Sequence, residues 1–225
     1  MKALQRLLER TPFYGACKSL GHYPDYWYWI LRGRPKRVPH LLKQKVVADY
    51  GRRFGLRTLV ETGTYYGEMV GAMRRHFDQI YSIELDLGLA RRAQEKFAAD
   101  PKIKIFCGDS LSVLPGVLEM LAGPALFWLD AGYYGWSGKQ GDKQRLSAEL
   151  DMILRHKFTH IILLDDVHGL TGKDGIPSVR DVKAHVEGEF PGRRVSMGFD
   201  IMRVKSRLIP DRDRVIAGVR SHPHS

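Results

Sequence analysis

Cysteine is scarce in this chain. Cys17 and Cys107 are the only two among 225 residues, and they match no metal or redox spacing. A disulfide-stapled scaffold is excluded. A reduced, cytoplasmic setting is the expectation, with Cys107 reading as a buried strand residue. Long apolar runs are also missing. None approaches the roughly 20 residues of a membrane span, and the opening "MKALQRLLER" lacks the apolar stretch of a secretory signal. There is no internal repeat and no low-complexity segment. The G-x-G-x-x-G spacing of a dinucleotide-binding turn does not occur where it would be expected, which disfavours an NAD-dependent oxidoreductase.

Positive charge, by contrast, is abundant. The formal net charge is +11, with 44% hydrophobic residues. The length suits one domain with a full core. Nucleic acid, an anionic membrane surface, an acidic substrate or a merely basic solvated surface would each account for the charge. The basic residues are dispersed, however, and no Arg-rich helix or nucleic-acid motif stands out. The segment "HYPDYWYWILRGRPKR" (22–37) interleaves aromatic and basic residues. Its aromatics are expected to pack on the core as a cap over a cleft, with peripheral membrane or glycan contact as the alternative.

From residue 58 onward the chain alternates strand and helix signals. Strands are expected at "TLVET" (58–62), "IYSIEL" (80–85), "KIKIFC" (102–107), "ALFWL" (125–129) and "HIILL" (160–164), with two short closing strands within 193–205. Helical stripes fall at Leu42, Val46, Val47 and Tyr50; at Met69, Val70, Met73 and Phe77; at Leu89, Ala93 and Phe97; at Leu111, Leu114, Leu118 and Leu121; and at Leu146, Leu150 and Leu154. Pro115 must sit near the first turn of its helix. Ser178 with Asp181 reads as a capping box. Repeated strand–helix units give the α/β class: a doubly wound, mostly parallel sheet with helices on both faces. The most apolar strands, the fourth and fifth, are expected at its centre. The expected organisation is an N-terminal extension or cap (1–45), a catalytic domain (46–206) and a loosely ordered tail (207–225).

Each of the five strands delivers a carboxylate to its carboxyl end, the rim where such sheets bind ligands. These are Glu61, Glu84, Asp109, Asp130 and the pair Asp165/Asp166. The first turn, Glu61-Thr62-Gly63-Thr64-Tyr65-Tyr66-Gly67, has spacing E-x-G-x-x-x-G. Its glycines allow a tight turn and close backbone approach. Glu61 places negative charge where a pyrophosphate would otherwise lie, so a cationic amine or sulfonium is favoured. Glu84 stands where such folds hold a ribose diol, and Asp109 where it can accept from the exocyclic amine of a base. Together these fit S-adenosylmethionine better than NAD.

With "ETGTYYG", "IYSIEL", "GDS" and "FWLD" in register, the chain resembles the class I S-adenosylmethionine-dependent methyltransferases, and within them a group of small bacterial metal-dependent O-methyltransferases. The resemblance spans about Gln44 to Val204. It implies a seven-stranded Rossmann-like methyltransferase fold. It also implies cofactor contacts from Glu61, Gly63, Thr64, Tyr65, Gly67, Glu84, Leu85, Asp109, Ser110 and Asp130, and a cation, Mg²⁺, held by Asp130, Asp165 and Asp166. Three carboxylates this close need a counter-charge, and hard oxygen donors suit that ion. The acceptor implied is a hydroxyl on a small molecule or sugar.

Related enzymes often carry a base two or three residues beyond the fourth-strand acid. Here "DAGYYG" (130–135) offers Gly132 and then Tyr133. His168, two residues past Asp166, is the substitute. Asp130, His168 and Tyr133 are therefore the catalytic candidates. The same loop is not of the N-P-P-Y type, which makes nucleic-acid base methylation less favoured. Gly132 supports an alternative: a cofactor-binding protein of this fold with lost chemistry, acting as a sensor or partner subunit. A homodimer remains open.

Overall fold

The computed structural model describes residues 38–130, 142–173, 175–198 and 200–209, with the backbone of 215–216 and 219–220. The segment 22–37, Gly132 and Tyr133 lie outside these residues, as does most of the tail. Helix α1 (His40–Arg53) opens the described chain and runs across the expected boundary at 45/46. Then follow β1 (Thr58–Thr62), α2 (Glu68–Met73), β2 (Gln79–Glu84), α3 (Leu87–Phe97), β3 (Ile103–Cys107), α4 (Ser110–Glu119), β4 (Leu126–Leu129), α5 (Asp142–Leu154), β5 (Ile161–Leu164), a single 3₁₀ turn (Val167–Gly169), α6 (Val179–Glu189), β6 (Arg193–Gly198) and β7 (Ile201–Ser206). In the tail, Val215–Ile216 pairs antiparallel with Val219–Arg220.

The sheet order is β3-β2-β1-β4-β5-β7-β6. β1 to β5 are mutually parallel and β7 runs antiparallel between β5 and β6. This is the expected seven-stranded, mostly parallel sheet, with β4 at the centre and β5 beside it. Side chains alternate across each strand, so the sheet has two buried faces. Leu59, Leu126, Trp128, Ile161 and Leu163 face α1, α2 and α3, where they meet Val46, Val47, Tyr50, Met69, Met73 and Phe97. Val60, Phe127, Leu129, Ile162 and Leu164 face α4, α5 and α6, where they meet Leu114, Leu118, Leu146, Leu150, Val182 and Val186. Each such side chain contributes about 1.5–3 kcal/mol by leaving water.

Local details sharpen the reading. Asp86 caps α3 through the Leu89 N–H, and Ser178 and Asp181 form the expected capping box of α6. α4 starts at Ser110, so Pro115 lies inside the helix rather than in its first turn. The buried stripe of α3 is Ala90, Ala93 and Phe97, with Leu89 only half-buried. Cys107 is exposed, against expectation. β3 is an edge strand, and its burial fades toward its carboxyl end. No helix among the described residues is long and apolar enough to cross a membrane.

Candidate functional site

The six carboxylates share more than a rim. Glu61 follows Leu59 by two residues, Asp130 follows Trp128, and Asp165 follows Leu163. Strand periodicity thus aims all three toward the face that α1 covers. The geometry bears this out at its centre. Asp130, Asp165 and Asp166 each bring a carboxylate oxygen within 4.8 Å of the other two. The first turn permits the approach: Gly63 has φ +87°, and a Cβ there would lie 3.3 Å from the Asp130 Cβ. Gly67 has φ +67°, and a Cβ would fall 2.7 Å from the Phe97 ring. Tyr65, between them, is itself left-handed at φ 49°. Lys96 of α3 fastens the loop by donating to the Tyr66 carbonyl at 2.7 Å. Tyr65 and Tyr66 stand exposed as an edge-on pair.

Glu61 is 2% exposed. The Ser82 hydroxyl donates to it at 2.5 Å, and Ser82 in turn lies 2.6 Å from the Thr64 hydroxyl. No described cation pairs with Glu61. Burial pushes its pKa up to about 8, opposed by the Ser82 hydrogen bond and reinforced by Asp130 and Glu84. Such an acid is short of positive charge. Glu84 accepts from the Tyr65 N–H at 2.7 Å and the Asp86 N–H at 2.9 Å, one bond to each oxygen. Every oxygen keeps acceptor capacity beyond these. Leu85, just past β2, is exposed.

The opposite end of the rim is more committed than expected. Asp109 caps α4 through the Leu111 N–H at 2.9 Å and accepts a two-pronged ion pair from Arg145 of α5. The Arg145 hydrogen bonds lead among the causes that lower its pKa. Ser110 donates to Glu149 and accepts from Arg145 at 3.2 Å. Burial raises the Glu149 pKa. An adenine amine would therefore meet a carboxylate already shared with Arg145.

The Asp165/Asp166 pair has a partner from outside the strand ends. Lys43 of α1 places its Nζ 2.7 Å from Asp165 Oδ2 and 2.6 Å from Asp166 Oδ1. Burial lowers the Lys43 pKa, but the two aspartates outweigh it and the net shift is upward. Burial lifts Asp165 to about 7 despite Lys43, with Asp166 and Asp130 adding to the rise. Asp165 Oδ1 is buried and has no hydrogen-bond partner. The sequence did carry a signal for this lysine. Lys43 lies three, four and seven residues before Val46, Val47 and Tyr50, on the buried face of α1.

His168 also acquires an unforeseen partner. Its Nδ1 lies 2.5 Å from Asp200 Oδ2, and its backbone N–H donates to Asp200 Oδ1 at 2.7 Å. Val167 N–H donates to the Asp200 carbonyl at 3.2 Å. Asp200 sits in the β6–β7 turn at φ 57°, and Asp166 at φ 47° turns the chain out of β5. Asp and Asn tolerate this left-handed conformation better than most residues. Asp166, His168 and Asp200 form a second close group, within 4.8 Å of one another.

No protein-family model matches the sequence, and no curated protein matches it. Solved structures do share its fold. The O-methyltransferase TomG of Streptomyces achromogenes, involved in tomaymycin synthesis and determined with S-adenosylmethionine, aligns with TM-score 0.54 at 15% identity, over 80% of this chain and 86% of its own. The S-adenosylhomocysteine-bound methyltransferase PaMTH1 of Podospora anserina aligns with TM-score 0.53 at 18% identity, over 82% and 87%. The 23S rRNA methyltransferase ErmE aligns with TM-score 0.50 at 19% identity, over 77% and 70%. The chain has the Rossmann-like methyltransferase fold, which it shares with an O-methyltransferase and with a 23S rRNA methyltransferase.

Proposed function

We propose that the protein is an S-adenosylmethionine-dependent methyltransferase that methylates a hydroxyl on a small molecule or sugar, assisted by a divalent cation. The observation that carries this reading is the buried Glu61 at the glycine turn, with no described cation beside it, next to the Asp130–Asp165–Asp166 group at the ends of the two following strands of the sheet, β4 and β5. A cationic cofactor and a hydroxyl acceptor would meet between them. The donor set fits a hard cation such as Mg²⁺: three carboxylates converge, and Asp165 Oδ1 is a buried oxygen without a partner. Asp130, Asp165 and Asp166 would hold that ion, whose charge would lower the pKa of a bound hydroxyl. The cofactor, when bound, supplies an electrophilic methyl group on a sulfonium.

The remaining work falls to the chain's own side chains. Glu61 would receive the cofactor's amine, while Gly63, Thr64, Tyr65 and Gly67 would line its methionine part. Glu84 would take the ribose hydroxyls, and Asp109, Ser110 and Leu85 would border the base. His168 is the proposed proton acceptor. In the neutral imidazole the Nδ1–H tautomer would donate to Asp200 Oδ2, 2.5 Å away, and Nε2 would be the accepting nitrogen. Holding the reactants in line would supply much of the rate gain. Gly132 supports the second reading, a cofactor-binding protein without turnover.

Thermal stabilisation by S-adenosylmethionine, S-adenosylhomocysteine and NAD, each with and without Mg²⁺, tests the assignment. The two sulfur ligands are expected to raise Tm and NAD to leave it unchanged. Stabilisation by NAD alone overturns the reading. A labelled-methyl screen across hydroxylated acceptors then separates enzyme from sensor. Asp166→Ala is expected to abolish any Mg²⁺ dependence; unchanged turnover with Mg²⁺ would remove the metal from the proposal.

A further inference from the structure

We propose that Lys43 is a positioning residue for the acidic site: by holding one oxygen of Asp165 and one of Asp166, it fixes the carboxylates so that Asp165 Oδ1 is presented to a divalent cation. The inference rests on the metal reading above and adds to it a residue from an element outside the strand ends.

The geometry is specific. The Lys43 ammonium takes Asp165 Oδ2 at 2.7 Å and Asp166 Oδ1 at 2.6 Å. Each carboxylate thus has one oxygen engaged by the lysine and a second outside the ion pair. On Asp165 that second oxygen, Oδ1, is buried and has no hydrogen-bond partner among the described residues. A buried acceptor without a donor costs free energy unless a partner completes it. Asp165 as a whole is only 3% exposed, and the Asp130 and Asp166 carboxylates stand within 4.8 Å. Ligating carboxylates are commonly held by such outer hydrogen bonds, which set their orientation. Lys43 reaches the site because α1 turns the 43/46/47/50 face onto the sheet. Val46, Val47 and Tyr50 are fully buried there, so the lysine stem is anchored by packing.

This differs from competition, in which the ammonium would simply occupy the cation's place. The two accounts predict opposite signs. Mn²⁺ affinity is to be measured by electron paramagnetic resonance on the full chain as wild type, Lys43→Met and Lys43→Arg. Positioning predicts a loss of about 10-fold or more in Lys43→Met, the usual effect of removing an outer-sphere partner, with part of it recovered in Lys43→Arg. S-adenosylmethionine affinity should be the same in all three. Equal or tighter Mn²⁺ binding by Lys43→Met overturns the proposal and leaves the metal site standing. If the wild type binds S-adenosylmethionine but no Mn²⁺, the metal reading itself falls, and this proposal with it. A second measurement does not depend on the variants folding. In wild-type protein labelled with ¹⁵N-lysine, the ammonium signal of Lys43 should persist and shift on adding Mg²⁺, because its two hydrogen bonds remain. Disappearance of that signal into solvent exchange overturns positioning.

Discussion

At the scale of single residues, Glu61 makes the stability of the ligand-free protein depend on pH, and Asp165 adds to the same trend. The Glu61 pKa in the folded state is about 8, above its ordinary 4.5. The folded chain therefore holds a proton that the unfolded chain releases between those values. Stability falls as pH rises through that window. At about 1.4 kcal/mol per pH unit the effect is on the order of a few kcal/mol. Glu61→Gln should flatten the decline of Tm between pH 5 and pH 8, and should weaken S-adenosylmethionine binding by at least about 10-fold. An unaltered pH profile would show that the acid is not buried in the apo state. Glu61, Asp130 and Asp165 were legible in the sequence because each closes an apolar strand and strand parity says which way it points; Asp166 is out of that parity and joins them through its left-handed backbone at φ 47°. Lys43 was harder to read. Its partners lie 122 and 123 residues away, and only its place on the apolar face of α1 betrays it. Arg145, Glu149 and Asp200 gave no comparable periodic signal.

At the scale of elements, the glycine turn and the β6–β7 turn carry the site. Gly67 combines a left-handed backbone with ring contact from Phe97. Gly67→Ala should destabilise the fold by about 1–3 kcal/mol, seen as a shifted denaturant midpoint, and should weaken cofactor binding as the loop is displaced. The β6–β7 turn matters through Asp200, which grips the segment after β5 at three points: the Val167 N–H, the His168 N–H and the His168 ring. Asp200→Asn keeps a hydrogen-bonding shape but loses the charge beside the imidazole. Turnover should drop at least about 10-fold while cofactor affinity stays constant; equal losses in both would mark a purely structural role. Strand and helix identities followed from hydrophobic period. What period cannot convey is position in the sheet. Cys107 lies at an edge, and so it is open where its sequence neighbourhood suggested burial.

At the scale of the molecule, a basic chain of net charge +11 carries an acidic rim. The long-range field attracts anions, and salt screens it within about 10 Å at 0.1 M. The rim itself selects cations at short range. Raising ionic strength from 50 to 300 mM should therefore change S-adenosylmethionine affinity little, since the two acids proposed to receive it, Glu61 and Glu84, are buried, while weakening any anionic acceptor markedly; titration calorimetry at the two salt concentrations checks this. The ion pair of Lys43 adds a consequence for how the molecule assembles. It joins the first described helix to the end of the fifth strand, across more than half the chain. Contacts this distant in sequence carry a large loop-closure cost and tend to form late in folding. Until α1 docks, the sheet holds its cluster of like charges without the lysine. Fragments that begin at β1 would keep the sheet's strand pairings yet lose the ammonium that holds Asp165 and Asp166, so the first described helix serves as a clasp on the end of the fifth strand.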